Sequence, residues 1–212
     1  MDFIKTHTAL HEPPLVPELR LHLATETDAL WEMGEEGLAD AGVPPPFWAF
    51  TWAGGQALTR YLLDHPQIVA NKRILDFGSG SGIVGLAAMK AGAASVLAAD
   101  IDVFACVAAT LNAEANNVAV STTDENLIGT MGAWDVILVG DMCYEQPLAG
   151  EIETWLRTAS DAGAHVLIGD PGRTYLPKDR LEKLTSYAVK NQRALEDTDV
   201  RNTSVWQFVS SS

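Results

Sequence analysis

Residues 74–85 run Ile74-Leu75-Asp76-Phe77-Gly78-Ser79-Gly80-Ser81-Gly82-Ile83-Val84-Gly85. Ile74 and Leu75 close an apolar run, Asp76 follows, three glycines alternate with serines, and a helical pattern begins at Ile83. Glycine permits the positive φ of a tight strand-to-helix turn, and it removes the Cβ that would keep a ligand from the backbone. The loop amides and the helix N-terminus are expected to offer partial positive charge to a bound carboxylate or phosphate. The stretch predicts a buried strand, a nucleotide-cradling loop and a helix, in that order.

Spacing separates the cofactors such a loop serves. A dinucleotide fingerprint starting at Gly78 needs glycine at position 83, where the chain has Ile83, so an NAD-dependent oxidoreductase is the weaker expectation. A second acid is expected at the end of the next strand, about 20 residues on, to bind ribose hydroxyls. The run SVLAAD places Asp100 there.

Strands and helices alternate outward from the loop. IVGLAAMKAGA reads as a helix with Gly92 as C-cap, VLAAD as the second strand, and IDVFACVAATLNAEANN as a helix with Asp102 near its start. VAVS is a short third strand, followed by the polar TTDENLIG at the edge where open α/β sheets bind ligands. There Asp124 and Asn126 read either as adenine contacts or as plain loop. WDVILVG is apolar on both faces, as a central parallel strand should be, and ends in Asp141-Met142-Cys143-Tyr144-Glu145. Asp141 is read either as facing a cofactor's reactive end or as a cap for the helix PLAGEIETWLRTAS. AHVLIGD is the fifth strand, ending at Asp170-Pro171-Gly172-Arg173. LPKDRLEKLTSY is predicted as a helix, and RALED and TSVWQFV as two closing strands.

Before the loop, residues 1–17 read as an extended arm rich in Pro and His. His7 and His11 lack the nearby acid or Cys cluster of a metal site, so none is expected. Glu18 to Trp31 is predicted as a short amphipathic helix carrying Leu19, Leu23, Leu30 and Trp31. In GVPPPFWAFTWAGG, prolines and the aromatics Phe47, Trp48, Phe50 and Trp52 approach Gly54 and Gly55, and QALTRYLLDHP then reads as a helix ending before Pro66. Trp52, beside small residues that leave space against its face, reads either as core or as a ligand contact.

The 212 residues, 47% of them hydrophobic, suffice for one domain with a large core. We divide it into residues 1–66, an arm and helices covering the site, and residues 72–212, the cofactor-binding core. A formal net charge of -14 argues against nucleic-acid binding and favours a cationic substrate or a basic partner. Cys106 and Cys143 suggest no disulfide framework. The first fifteen residues resemble neither a signal nor a transit peptide, and no run reaches membrane-spanning length, so a cytoplasmic protein that meets no membrane is expected.

Three sites coincide with one family. Trp52 with Gly54-Gly55, the acid-x-G-x-G-x-G loop from Asp76, and the Asp-x-x-Tyr of Asp141 to Tyr144 resemble the seven-β-strand, class I S-adenosylmethionine (SAM) methyltransferases of the protein-lysine group called family 16. PFWAFTWAGGQALTRYLLDHP together with GDMCYEQP is similar to the bacterial type of the electron transfer flavoprotein β-subunit lysine methyltransferases. The resemblance implies a doubly wound, mostly parallel seven-stranded Rossmann-like α/β sheet, with helices on both faces and an antiparallel C-terminal edge. It also implies SAM as cofactor, a monomer, and the flavoprotein β subunit as protein partner. In it Gly78, Ser79 and Gly80 pass under the methionine portion, Asp76 sits near its amino group, and Trp52 covers that end. Asp100 holds the ribose diol, with Ile101, Asp124, Asn126 and Gly140 as further cofactor contacts. The catalytic pair is Asp141 and Tyr144, acting on a lysine amine. A small-molecule, nicotinamide-like N-methyltransferase and a non-catalytic SAM-fold binding module are the competing expectations.

Overall fold

The computed structural model describes residues 1–24, 44–190 and 200–209. Its centre is β3 (Arg73–Phe77), flanked by β4 (Ser95–Ala99) and β6 (Val136–Gly140). With β5 (Ser121–Thr123), β7 (His165–Asp170), β8 (Leu181–Lys190) and β9 (Val200–Phe208), the seven-stranded order is β5-β4-β3-β6-β7-β9-β8. Pairing is parallel from β5 to β7 and antiparallel for β7–β9 and β8–β9. The strand order reverses between β3 and β6, and an open α/β sheet binds its ligand in the crevice at such a reversal.

Alternation along β3 sends Ile74 into the core beneath α2 (Ala53–Asp64) and α3 (Ile83–Lys90), and Leu75 into the core beneath α5 (Leu148–Asp161). Phe77 meets Trp155 of α5 with ring centroids 4.8 Å apart. Burial rather than propensity holds α2. Its two first-turn glycines cost about 1 kcal/mol each against alanine, while Leu58 and Leu62, fully buried, contribute about 1.5–3 kcal/mol each. α4 (Val103–Ala115) starts after Asp102, expected near the helix start, whose carboxylate caps it by accepting the Phe104 N–H at 2.8 Å. Gly92 follows α3 with φ 93°, and α2 stops at Asp64 before Pro66.

Four segments differ from expectation. The arm opens with a helix, α1 (Asp2–His7), which buries Ile4, and continues as β1 (Ala9–His11). The predicted helix from Glu18 contains instead β2 (Leu21–Leu23), antiparallel to β1, while Leu30 and Trp31 lie outside the described residues. Leu19, Leu21 and Leu23 are buried in alternation, and two asparagines, Asn112 in α4 and Asn116 at its C-cap, serve the extended backbone as a neighbouring strand would. Asn116 accepts from Arg20 N–H at 3.0 Å and donates to Arg20 C=O at 2.7 Å, and Asn112 accepts from His22 N–H at 2.7 Å. The third strand forms at Ser121–Thr123, sharing only Ser121 with the predicted VAVS. The helix predicted over LPKDRLEKLTSY is β8, preceded by a 3-10 turn at Lys178–Arg180. β8 pairs along β9 from Leu181↔Phe208 to Lys190↔Val200, satisfying a long backbone ladder that local helical spacing could not anticipate. RALED lies outside the described residues.

Candidate active site

The glycine loop joins β3 to α3 with φ 66°, 50° and 79° at Gly78, Gly80 and Gly82, values that side chains with a Cβ rarely adopt. Its amides do not all face outward as expected. Gly78 N–H and Ser79 N–H both donate to Ala99 C=O, at 2.9 and 3.1 Å, and Gly80 N–H donates to Asp100 Oδ2 at 2.9 Å. The loop is thereby tied to the end of β4. Asp100 Oδ1 accepts from Asp102 N–H at 3.0 Å, and burial holds the Asp100 carboxyl above its usual range against the pull of these two amides. Asp76 is 1% exposed, and its Oδ2 accepts Gly85 N–H at 2.8 Å. Burial pushes it up to about 7, despite that hydrogen bond. Its place is the seam between β3 and α3, so its contact is with the helix start rather than with the surface of the crevice.

Asp141 begins the turn after β6 with φ 59°, a left-handed conformation that costs a residue with a side chain about 1 kcal/mol or more. Packing keeps it there. Its N–H donates to Gly169 C=O at 3.0 Å, its Oδ2 accepts Gly55 N–H at 2.8 Å, and its Oδ1 accepts from Arg173 Nη2 at 3.1 Å. Gly55 belongs to the first turn of α2, whose N-cap, Trp52, carries no side-chain acceptor. Asp141 supplies that acceptor from another element. Burial pushes its carboxyl up to about 6, opposed chiefly by the Arg173 charge.

Glycines permit this docking. A Cβ on Gly54 would run into the Gly169 carbonyl and the Asp141 carboxylate, and one on Gly140 would stand 3.2 Å from the Gly55 Cα. Trp52, half-buried, donates its Nε1–H to Phe47 C=O at 3.0 Å, and the Arg173 guanidinium lies 5.8 Å from its ring centre. Tyr144 is 45% exposed. Burial raises its phenol, with Glu145 and Asp100 adding to the shift and Arg173 opposing it.

The expected residues fall into two groups along the carboxyl edge. Gly78, Ser79, Gly80, Asp100 and the 75%-exposed Ile101 form one, with Asp124 near enough to act on the Cys106 thiol beside Asp100. Trp52, Gly140 and Asp141 form the other, with Tyr144 three residues along the turn from Asp141. Asn126, exposed, accepts Ile128 N–H at 3.0 Å and so shapes its own turn. Arg173 was not anticipated as a site residue. A lone cation after a strand-ending Asp-Pro-Gly, on an otherwise acidic edge, was its signal. Among the described residues, Ser79 Oγ, Asp170 Oδ2 and Arg173 Nε are buried without a protein partner, so both groups keep polar atoms for a ligand.

A seven-stranded sheet in this order, with a glycine loop after its first central strand and an acid closing the next, defines a class I SAM-dependent methyltransferase. The family model of ribosomal protein L11 methyltransferase matches residues 56–140. The electron transfer flavoprotein beta subunit lysine methyltransferase of Xenopus laevis is 42% identical, over 97% of this chain and 85% of that one. The protein of the same name from Danio rerio is 37% identical, over 98% and 82%. Among solved structures, magnesium protoporphyrin IX methyltransferase from Synechocystis PCC 6803 with bound SAM shares the fold. Its TM-score is 0.53 and its identity 15%, over 73% of this chain and 76% of that one. The chain belongs to the electron transfer flavoprotein beta subunit lysine methyltransferase family.

Proposed function

We propose that the chain transfers methyl groups from SAM to lysine side chains of the electron transfer flavoprotein β subunit. The observation that carries this is Asp141: a 6%-exposed carboxylate at the switch point of the sheet, oriented by Gly55 N–H and joined through Arg173 to Trp52. The names of the relatives supply the substrate. When bound, SAM supplies an electrophilic methyl group on a sulfonium. Ser79, with its unpartnered hydroxyl, and the bare backbone of Gly80 fit beneath such a ligand, Gly78 being covered at its Cα by the Met142 side chain, and Asp100 fits the ribose diol.

The remaining chemistry is positioning. In-line methyl transfer needs little acid–base machinery, and most of its acceleration comes from proximity and alignment. Asp141 accepts a hydrogen bond from the lysine nitrogen, Tyr144 aligns it from the exposed side, and Trp52 closes the far wall. Phe47 and Tyr144, both exposed, leave this end accessible to a side chain carried by another protein. The test is intact-mass measurement of the flavoprotein, purified from cells lacking this methylation, after incubation with the enzyme and SAM. Additions of 14 Da units on the β subunit, absent with Asp141→Ala, support the assignment. No addition, with SAM still raising the melting temperature, removes the named substrate and leaves a small-molecule amine or a binding role.

A further inference from the structure

We propose that Arg173 is a positioning residue for methyl transfer, its guanidinium neutralising Asp141 in place so that the substrate lysine is held as the free amine. This rests on the lysine reading above. Asp170 Oδ1 accepts both Gly172 N–H, at 2.6 Å, and Arg173 N–H, at 2.7 Å, folding the turn after β7 back on itself. The Arg173 side chain then reaches Asp141 Oδ1 at 3.1 Å and lies 5.8 Å from the Trp52 ring centre. A carboxylate below and an aromatic ring beside it are what a cation needs for a fixed seat.

The need for such a cation follows from charge. An unpaired Asp141 would favour lysine as ammonium, which has no lone pair to give. Guanidinium keeps its charge at any working pH. The Asp141–Arg173 pair is therefore neutral overall, and Asp141 still has lone pairs to orient an amine. With the carboxylate offset by Arg173, Asp141 would no longer hold the lysine as ammonium, and its proton would be lost to water. The amine lone pair then forms the new N–C bond as the S–C bond breaks. The electron pair goes to sulfur, and the products are a methylammonium and a neutral thioether. Among the described residues, the other ionisable groups around Asp141 are acidic or neutral. Asp170 on β7 is raised by burial, the Cys143 thiol is pushed up to about 12 by burial, and Tyr144 and Glu145 follow on the same turn. Arg173 alone among these supplies the opposite sign.

Two measurements on Arg173→Gln and Arg173→Lys decide the matter. The first is the 13C carboxyl resonance of Asp141, titrated in the free enzyme and assigned with Asp141→Asn. Its midpoint rises in Arg173→Gln and stays near wild type in Arg173→Lys. The second is kcat for methylation of the flavoprotein against pH. In Arg173→Gln the ascending limb moves up by about one unit or more, a loss of about tenfold at pH 7.5 that alkaline pH recovers, and Arg173→Lys restores most of it. An unmoved carboxyl midpoint overturns the proposal whatever the substrate. An unmoved limb with a lower KM in Arg173→Gln also overturns it, because the guanidinium then blocks the lysine seat instead of tuning it. A wild-type enzyme that methylates no flavoprotein lysine fails the proposed function, and the carboxyl titration still decides whether Arg173 holds the Asp141 charge.

Discussion

Gly55 and Asp141 are 86 residues apart in sequence, and the amide of the first donates to the carboxylate of the second at 2.8 Å. The contact joins the start of α2 to the end of β6. It fixes the orientation of the candidate catalytic acid by backbone rather than by a mobile side chain, and it gives a helix without its own cap an acceptor. The left-handed backbone at Asp141 is tolerable because these bonds over-determine it.

The glycines beneath this contact are not equivalent. A Cβ on Gly54 meets backbone that has nowhere to move, whereas one on Gly55 meets Ile83 Cγ2 at 3.4 Å, an ordinary contact. Gly54→Ala should lose about 1–3 kcal/mol or more, and about 2–4 °C of melting temperature for each. Gly55→Ala should stay within about 1 °C of wild type or rise slightly, since alanine favours the helix. Thermal unfolding of the two variants checks the order. Equal losses would mean that α2 does not abut β7 as described.

Much of this was legible in sequence because it is local. The glycine loop, Asp100, the Asp102 cap and the alternation from Ile74 to Asp170 depend on neighbours within a few positions. What was not legible depends on distant partners. β8 carries a pattern that passes for a helix until β9 is beside it, and residues 20–23 become extended because Asn112 of α4 and Asn116 at its C-cap bond their backbone. Trp52 and Asp141 stood out as candidate site residues by their positions at element ends, and Tyr144 through the Asp-x-x-Tyr resemblance. Arg173 did not, because its role exists only once β7 lies next to β6.

Buried carboxyls make stability depend on pH in a direction opposite to that of salt-bridged ones. Asp76 is pushed up to about 7 by burial, against about 3.9 in an unfolded chain. Between about pH 4 and 7 the folded state therefore keeps a proton that the unfolded state has lost, and stability falls as pH rises through this window. Asp141, pushed up to about 6, adds to the fall over the lower part. Asp76→Asn keeps an acceptor for Gly85 N–H and removes the titration, so its melting temperature should decline less between pH 5 and 7 than that of wild type. Parallel declines would show Asp76 to be ionised in the folded protein throughout.

Asp100 ties the loop to β4, and the proposal gives it the ribose diol as well. At a hundred times its Kd, SAM should stabilise the protein by about 2.7 kcal/mol, or roughly 5–11 °C in melting temperature. Asp100→Ala should lower the baseline through its two lost amide partners, and at the same ligand concentration the shift should shrink to about 2 °C or less. The comparison is between shifts, which separates loop damage from ligand contact. A full shift in Asp100→Ala would move the diol to another residue.

Asn112 connects the N-terminal strands to the glycine loop through one fully buried side chain. Its Oδ1 accepts His22 N–H at 2.7 Å, and its Nδ2 donates to Ser81 C=O at 2.8 Å. Alanine there strands a donor and an acceptor together, each costing about 1–3 kcal/mol if water does not reach it. Asn112→Ala should therefore destabilise the protein by about 2–4 kcal/mol, accelerate hydrogen exchange at residues 20–23, and weaken SAM binding through the freed loop. Thr110→Ala, on the same helix but bonded only to Cys106 C=O, should change neither exchange nor affinity. Faster exchange with unchanged SAM affinity would confine the role of Asn112 to anchoring the strand. Unchanged exchange would mean that pairing with β1 and the bonds of Asn116 to Arg20 hold this segment without Asn112.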